Sequence, residues 1–254
     1  MNRLSVLLWR VRSWAAGALV ARRRVESRGV RFTLQSDNWI TYYRWKTYNT
    51  KEPETLDWID KWVKPGDTLF DIGANIGVYS VYAALKHKPI RVVAFEPEYA
   101  NLHLLRDNVM HNHIQDVVDI YSIALGNDSG PTHLHIQDFT PGAALHSVSN
   151  QQLDKTHTLR PVVGREGIWV VTMDAFCDKT GMTPHCVKID VDGTELAILE
   201  GARKTFASKS MRSAIIEMPP KSAAYDRCAA MLEEAGLKLK WRSEQSPNEL
   251  WVRE

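Results

Sequence analysis

Apolar and polar residues alternate along this chain with two periods that take turns. Val30–Leu34 and Trp39–Tyr43 are short runs of β-branched and aromatic residues, the composition of strands. Glu52-Pro53-Glu54 opens a helical pattern that runs through Trp62, and Pro65-Gly66 ends it. Beyond it the pattern predicts strands at Thr68–Ile72, Arg91–Phe95, Val117–Ile123, Val187–Val191 and Ala214–Met218. Helices are expected between them, at Ile76–Leu85, Tyr99–Met110, Glu195–Phe206 and Ser222–Ala235, and Leu237–Trp241 and Leu250–Arg253 close the chain as strands. Strands that alternate with helices pair in parallel through right-handed crossovers. The fold class is therefore α/β, a doubly wound three-layer sandwich.

Residues 126–165 break this rhythm. A short strand at Thr132–Ile136 is followed by glycine, proline, serine, asparagine and glutamine in quantity. Such a stretch inside a compact domain is expected to be a lid or binding loop. Trp169–Thr172 resumes strand character.

Composition narrows the field. With 254 residues, 44% hydrophobic and 24% charged, the chain is globular and long enough to bury a core without staples. A net charge of +2 gives no reason to expect a nucleic-acid partner. The charge is uneven, however: residues 1–31 hold eight arginines and one acid. Leu4, Leu7, Leu8, Val11, Trp14 and Ala18 fall at helical spacing there, while Arg10 interrupts the run and leaves it too short for a signal-peptide core or a membrane span. Residues 1–30 are thus expected to form a basic amphipathic extension ahead of a domain over 31–254. It would either contact an anionic membrane surface peripherally through residues 1–24 or dock on protein. Cys177, Cys186 and Cys228 lack metal-ligand spacing and suit a reducing compartment, so a cytoplasmic protein is expected, with any membrane contact at the inner face.

Chemistry-bearing residues gather at predicted strand ends. Asp71-Ile72-Gly73-Ala74-Asn75-Ile76-Gly77 joins the first core strand to its helix, where doubly wound sheets bind ligands. A dinucleotide fingerprint needs glycine at the third and sixth positions; here Asn75 and Val78 stand there. A carboxylate such as Asp71 repels a pyrophosphate and attracts the ammonium of a methionine moiety. The turn therefore favours S-adenosylmethionine over NAD. Glu96, ending Arg91–Phe95 and followed by Pro97, can accept hydrogen bonds from both hydroxyls of a ribose. Lys188, Asp190 and Asp192 cluster at the end of a later strand, and burying such charges without a function would be costly.

Together these segments resemble the FkbM family of methyltransferases. The likeness lies in Gly66 to Ser80, Ala94-Phe95-Glu96-Pro97 and Val187 to Leu196, with Glu52-Pro53-Glu54, Ala124-Leu125-Gly126 and Ile216-Glu217 in support. The resemblance implies a class I methyltransferase, a Rossmann-like, mostly parallel seven-stranded sheet. It implies S-adenosyl-L-methionine as cofactor and O-methylation of a small molecule or glycan. Carried over by position, Asp71, Gly73, Ala74, Asn75 and Gly77 surround the methionine portion, Glu96 with Pro97 holds the ribose, Ile123 and Ala124 border the adenine, and Asp190 faces the methyl group. Asp192 departs from the family, which more often has glutamate there.

Asp190 or His146 is the expected base, and Glu217 either touches the acceptor or pairs with Lys188. The loop from Asn127 to Gly164, with a lid at Pro141–Ser149, is expected to select the acceptor through Asp138, His146, Gln151 and Gln152. No metal requirement is expected. A non-catalytic scaffold that binds nucleotide or S-adenosylmethionine, and an NAD-dependent Rossmann enzyme, remain as alternatives.

Overall fold

The computed structural model describes residues 21–148, 162–219, 223–244 and 246–253. Arg22–Ser27 (β1) and Val30–Gln35 (β2) form an antiparallel hairpin, with Arg22 opposite Gln35. Arg28 and Gly29 turn it at φ 49° and 83°, the two left-handed residues that match a turn to the twist of its strands. The boundary expected at residue 30 falls inside this hairpin, so β1 is part of the domain. The helix expected over Leu4–Ala18 lies outside the described residues.

Trp39–Lys46 is a helix (α1), not the expected strand. Asn38 decides this: its side chain accepts from the Thr41 N–H at 3.0 Å, while the Thr41 hydroxyl accepts from the Asn38 N–H at 3.1 Å. Such a reciprocal cap satisfies two otherwise orphaned donors and contributes about 1 kcal/mol. Local strand preference among aromatic residues is no stronger than that.

Pro53–Trp62 (α2) leads into the repeating part. In chain order follow Thr68–Ile72 (β3), Val78–Lys86 (α3), Arg91–Phe95 (β4), Tyr99–His111 (α4) and Val118–Tyr121 (β5). After an insertion come Met173–Thr180 (α5), Cys186–Ile189 (β10), Glu195–Glu200 (α6), Arg203–Ala207 (α7), Ser213–Glu217 (β11), Ala223–Glu234 (α8), Lys238–Arg242 (β12) and Asn248–Val252 (β13). The central sheet has seven strands in the order β12-β13-β11-β10-β3-β4-β5. β13 runs antiparallel to both its neighbours, and the other pairings are parallel. The single helix expected over Glu195–Phe206 is two. It breaks at Gly201, where a Cβ would lie 1.9 Å from the Gly126 carbonyl oxygen.

The described part of the insertion forms strands. Ala124–Leu125 (β6), Gly130–Ile136 (β7), Ser147–Val148 (β8) and Gly164–Val171 (β9) make a second sheet in the order β6-β9-β7-β8. The run expected as one strand to Ile123 accordingly stops at Tyr121, and the chain changes sheets.

Alternate residues of each central strand enter two separate cores. Leu69, Val92, Ala94, Cys186 and Ile215 pack with the hairpin, α2, α3 and α4. Phe70, Ile72, Val93, Phe95 and Val187 pack with α5 to α8 on the other face. On that second face Phe176 meets Phe95 and Tyr121 edge-on at centroid distances of 5.0 and 4.8 Å, each pair contributing about 0.5–1.5 kcal/mol beyond area burial. Among the described residues no helix is long and apolar enough to cross a membrane.

Candidate active site

β3 lies between β4 and β10: the chain steps from β3 to β4 and β5 on one side, then crosses after the insertion to β10 on the other. The strand order therefore reverses at β3, and a crevice opens beyond the strand tips. The crevice is a cavity of about 300 Å³. Its lining follows the sheet: Ile123 and Ala124 after β5, Glu96 and Pro97 after β4, Gly73 and Asn75 after β3, Asp190 after β10 and Glu217 at the end of β11.

Gly73 is set by packing. It sits at φ 75°, and a Cβ there would lie 2.0 Å from the Asp190 carbonyl oxygen. Only glycine lets the tips of β3 and β10 touch. Gly77, at φ 79°, would drive a Cβ to 2.3 Å from Leu105 Cδ1. It serves the contact of α3 with α4 rather than lining the cavity. Ala74 faces a smaller neighbouring cavity of about 30 Å³.

Glu96 is buried and held by backbone. Its Oε2 accepts from the Asn75 N–H at 2.7 Å and its Oε1 from the Glu98 N–H at 3.0 Å. Burial raises its pKa to about 7 against the pull of those two donors. Each oxygen keeps a lone pair that can accept from a ligand hydroxyl.

Asp71 does not reach the cavity. Its Oδ2 accepts from the Ser80 hydroxyl at 2.6 Å, and its Oδ1 lies 3.7 Å from Lys188 Nζ. Asp71 and Lys188 are paired across β3 and β10, so the ammonium that Asp71 meets is the protein's own. Lys188 also donates to Asp190 Oδ2 at 2.8 Å and lies over the Tyr79 ring at 5.3 Å. Although burial pushes the other way, Lys188 and a hydrogen bond from Glu217 hold Asp190 well below the usual carboxylate range. Burial, and then the neighbouring charge of Asp190, raise Glu217. The opposite directions of the two shifts favour the proton on Glu217 and the charge on Asp190. Glu217 is thus a partner of Asp190, not of Lys188.

A strap over residues 138–148 crosses the mouth. Asn75 and Asn101 donate to the Ala143 carbonyl at 2.7 and 3.1 Å, Arg44 Nε donates to the Gly142 carbonyl at 2.7 Å, and the Leu145 N–H donates to Asp192 at 2.5 Å. Asp192 is thereby occupied with the strap. His146 Nδ1 accepts from the Gln137 N–H at 3.4 Å. That contact leaves the ring proton on Nε2, which is buried without a partner among the described residues and belongs to a cavity-lining residue. Burial lowers the His146 pKa, so the ring is a neutral donor toward the cavity. As the base expected from sequence, His146 would need an accepting nitrogen toward the cavity, and this tautomer presents a donor there. Asp138 lines an outer cavity of about 210 Å³, whereas Gln151 and Gln152 lie outside the described residues. Among the described residues no group of three or more His, Cys, Asp or Glu is placed to hold a metal.

Sequence reasoning missed Arg44, Lys51 and Asn101. The first two line all three cavities. Arg44 was hidden by the expectation of a strand over Trp39–Tyr43. Lys51 stood in plain view beside Glu52-Pro53.

A methyltransferase FkbM domain matches residues 71–239. The chain belongs to the FkbM methyltransferase family. It is a methyltransferase, and its cofactor is S-adenosylmethionine. This FkbM-family chain is 26% identical over 205 residues to 31-O-demethyl-FK506 methyltransferase FkbM of Streptomyces tacrolimicus, covering 73% of this chain and 77% of the relative. It is likewise 26% identical over 217 residues to hexuronic acid methyltransferase AglP of Haloferax volcanii, covering 82% and 80%. Magnesium protoporphyrin IX methyltransferase of Synechocystis has a similar fold, with a TM-score of 0.50 at 10% identity over 86% of each chain. The cavity fits the cofactor: apolar Ile123 and Ala124, the acceptor pair of Glu96, and an ionised Asp190 succeed one another across it.

Proposed function

We propose that this enzyme transfers a methyl group to a hydroxyl oxygen of a small molecule or glycan. The arrangement of Asp190, Lys188 and Glu217 carries the reading: an ionised carboxylate, its charge fixed from behind by a buried lysine, faces the cavity that holds Glu96. S-adenosylmethionine supplies a methyl group on a sulfonium, an electrophile strong enough for in-line displacement. The protein's contribution is alignment and removal of one proton. Glu96 accepts from the ribose hydroxyls, Pro97, Ile123 and Ala124 flank the adenine, and Gly73 and Asn75 border the methionine portion. Asp190 orients the acceptor hydroxyl and takes its proton as the carbon–oxygen bond forms. Glu217, already protonated, donates to Asp190, and His146 Nε2 donates to an acceptor oxygen.

The two relatives support an oxygen acceptor, since their names specify a 31-O-demethyl compound and a hexuronic acid. The test is methyl transfer from labelled cofactor to a panel of uronic acids, neutral sugars and macrolides, by wild type and Asp190→Asn. A labelled O-methyl product that falls by about 10²- to 10⁴-fold in the variant is expected. Product on nitrogen or carbon, or an unchanged rate, contradicts the reading.

We also read residues 1–24 as a peripheral contact with an anionic membrane at its cytoplasmic face. Arg23 lies over Tyr42 and Trp45 at 5.1 and 4.9 Å, on the helix that exposes Trp39 and Tyr43, a pairing of cations and aromatics suited to a headgroup layer. The three cysteines are free and buried, in keeping with a reducing compartment. Because Arg22 already pairs with Gln35, the truncation to test starts the chain at Ala21. Binding to anionic vesicles is expected to weaken; unchanged binding rules out the extension as the contact.

A further inference from the structure

We propose that Arg44 binds the carboxylate at the methionine end of S-adenosylmethionine. This rests on the placement of the cofactor given above, and goes further by assigning a counter-ion that no strand-tip motif supplies.

The cofactor's amino-acid end carries an ammonium and a carboxylate on one carbon. Asp190, held ionised by Lys188, offers the cavity a negative charge suited to the ammonium. The carboxylate then needs a cation on the same stretch of wall. Gly73, Asn75, Asp190 and Arg44 all border both the main cavity and the small one beside it. Arg44 therefore stands next to the β3 turn and within reach of the space that Asp190 faces.

Its bonding state points the same way. Arg44 spends only Nε on the protein, in the 2.7 Å bond to the Gly142 carbonyl. Among the described residues no carboxylate is in ion-pair contact with it; its charge reaches Glu96 only at longer range, lowering that pKa. Arg28, Arg91, Arg212, Arg227 and Arg242, by contrast, are all committed to acids. The other cation at this place, Lys51, is held by Glu52 at 2.7 Å. A half-buried guanidinium anchored through Nε presents its two Nη groups as a fixed fork, the geometry that meets a carboxylate with two parallel hydrogen bonds. The anchor also ties the anion to the strap, whose Ala143 carbonyl is held by Asn75 and Asn101.

The experiment is calorimetric titration of the full chain with two probes, S-adenosylhomocysteine and decarboxylated S-adenosylmethionine, which lacks only the carboxylate of the cofactor. Wild type, Arg44→Gln, Arg44→Lys and Lys51→Gln are compared, with thermal melting to confirm that each is folded. Arg44→Gln is expected to weaken S-adenosylhomocysteine by about ten- to a hundredfold and to leave the decarboxylated probe unchanged. Arg44→Lys should recover part of the loss, and Lys51→Gln should have the smaller effect. Equal weakening of both probes would make Arg44 a support for the strap and overturn the proposal, as would no weakening at all. Failure of wild type to bind either probe would instead remove the cofactor placement on which the proposal rests.

Discussion

The tip of β4 and the tip of β10 each present a carboxylate to one cavity, yet the two are held in opposite ways. Glu96 is fixed by backbone N–H groups of Asn75 and Glu98, with Arg44 lowering its pKa only as a longer-range charge. Asp190 is fixed by side chains, Lys188 from below and Glu217 from the side. The backbone donors do not outweigh burial at Glu96, whose pKa rises to about 7. The buried ammonium does outweigh it at Asp190. A full charge in contact is worth more than two fixed dipoles. On the proposed reading, the first carboxyl completes its hydrogen bonding on the cofactor and the second stays charged for chemistry.

Removing the cation should break this contrast most severely. Lys188→Met leaves Asp71 buried beside an unneutralised Asp190, and destabilisation of about 3–5 kcal/mol is expected in a denaturant titration. A loss below about 1 kcal/mol would show that Lys188 does not hold the pair together. Asp190→Asn keeps the shape and removes the charge. Its rate at saturating cofactor should fall by about 10²- to 10⁴-fold, beyond any weakening of S-adenosylhomocysteine from the lost counter-charge to its ammonium, so a loss confined to cofactor affinity would contradict Asp190 as the base.

The pH response of Glu96 is a subtler probe. Its pKa of about 7 in the folded chain exceeds that of an exposed glutamate. The unfolded chain therefore releases this proton first, and stability falls as pH rises from the ordinary carboxylate value toward 7. Glu96→Gln should abolish that decline. Over the same window wild-type affinity for S-adenosylhomocysteine should rise as Glu96 becomes a pure acceptor, whereas the variant's affinity should stay flat. The smallest effect belongs to His146→Phe. It should raise the KM for the acceptor about tenfold, the loss of one hydrogen bond, and leave the cofactor's affinity alone. A collapse of kcat with a pH profile shifted to that of a lost base would restore His146 as the general base.

The frame of the site was legible in the sequence because each element there is bounded locally. Apolar runs end in Asp71-Ile72-Gly73, Glu96-Pro97 and Asp190 to Gly193, and the spacing alone places these at neighbouring strand tips. What escaped depends on residues far apart. Trp39–Lys46 looks like a strand until the Asn38 cap is counted. At the break, only glycine fits at 201 against the Gly126 carbonyl, a contact no local pattern reveals. Asp71 turns inward because the register of β3 and β10 sets Lys188 opposite it. Arg44 joins the site through Gly142, nearly a hundred residues away, and the tautomer of His146 is set by the Gln137 N–H, just outside the strap.

The central claim is that S-adenosylmethionine lies across the strand tips with its ribose on Glu96. Calorimetric titration of the cofactor into wild type and Glu96→Ala tests this most directly. The account predicts binding to wild type that weakens by about ten- to a hundredfold in the variant. Equal affinity in a folded variant, or no binding to a wild type freed of bound cofactor, would contradict it.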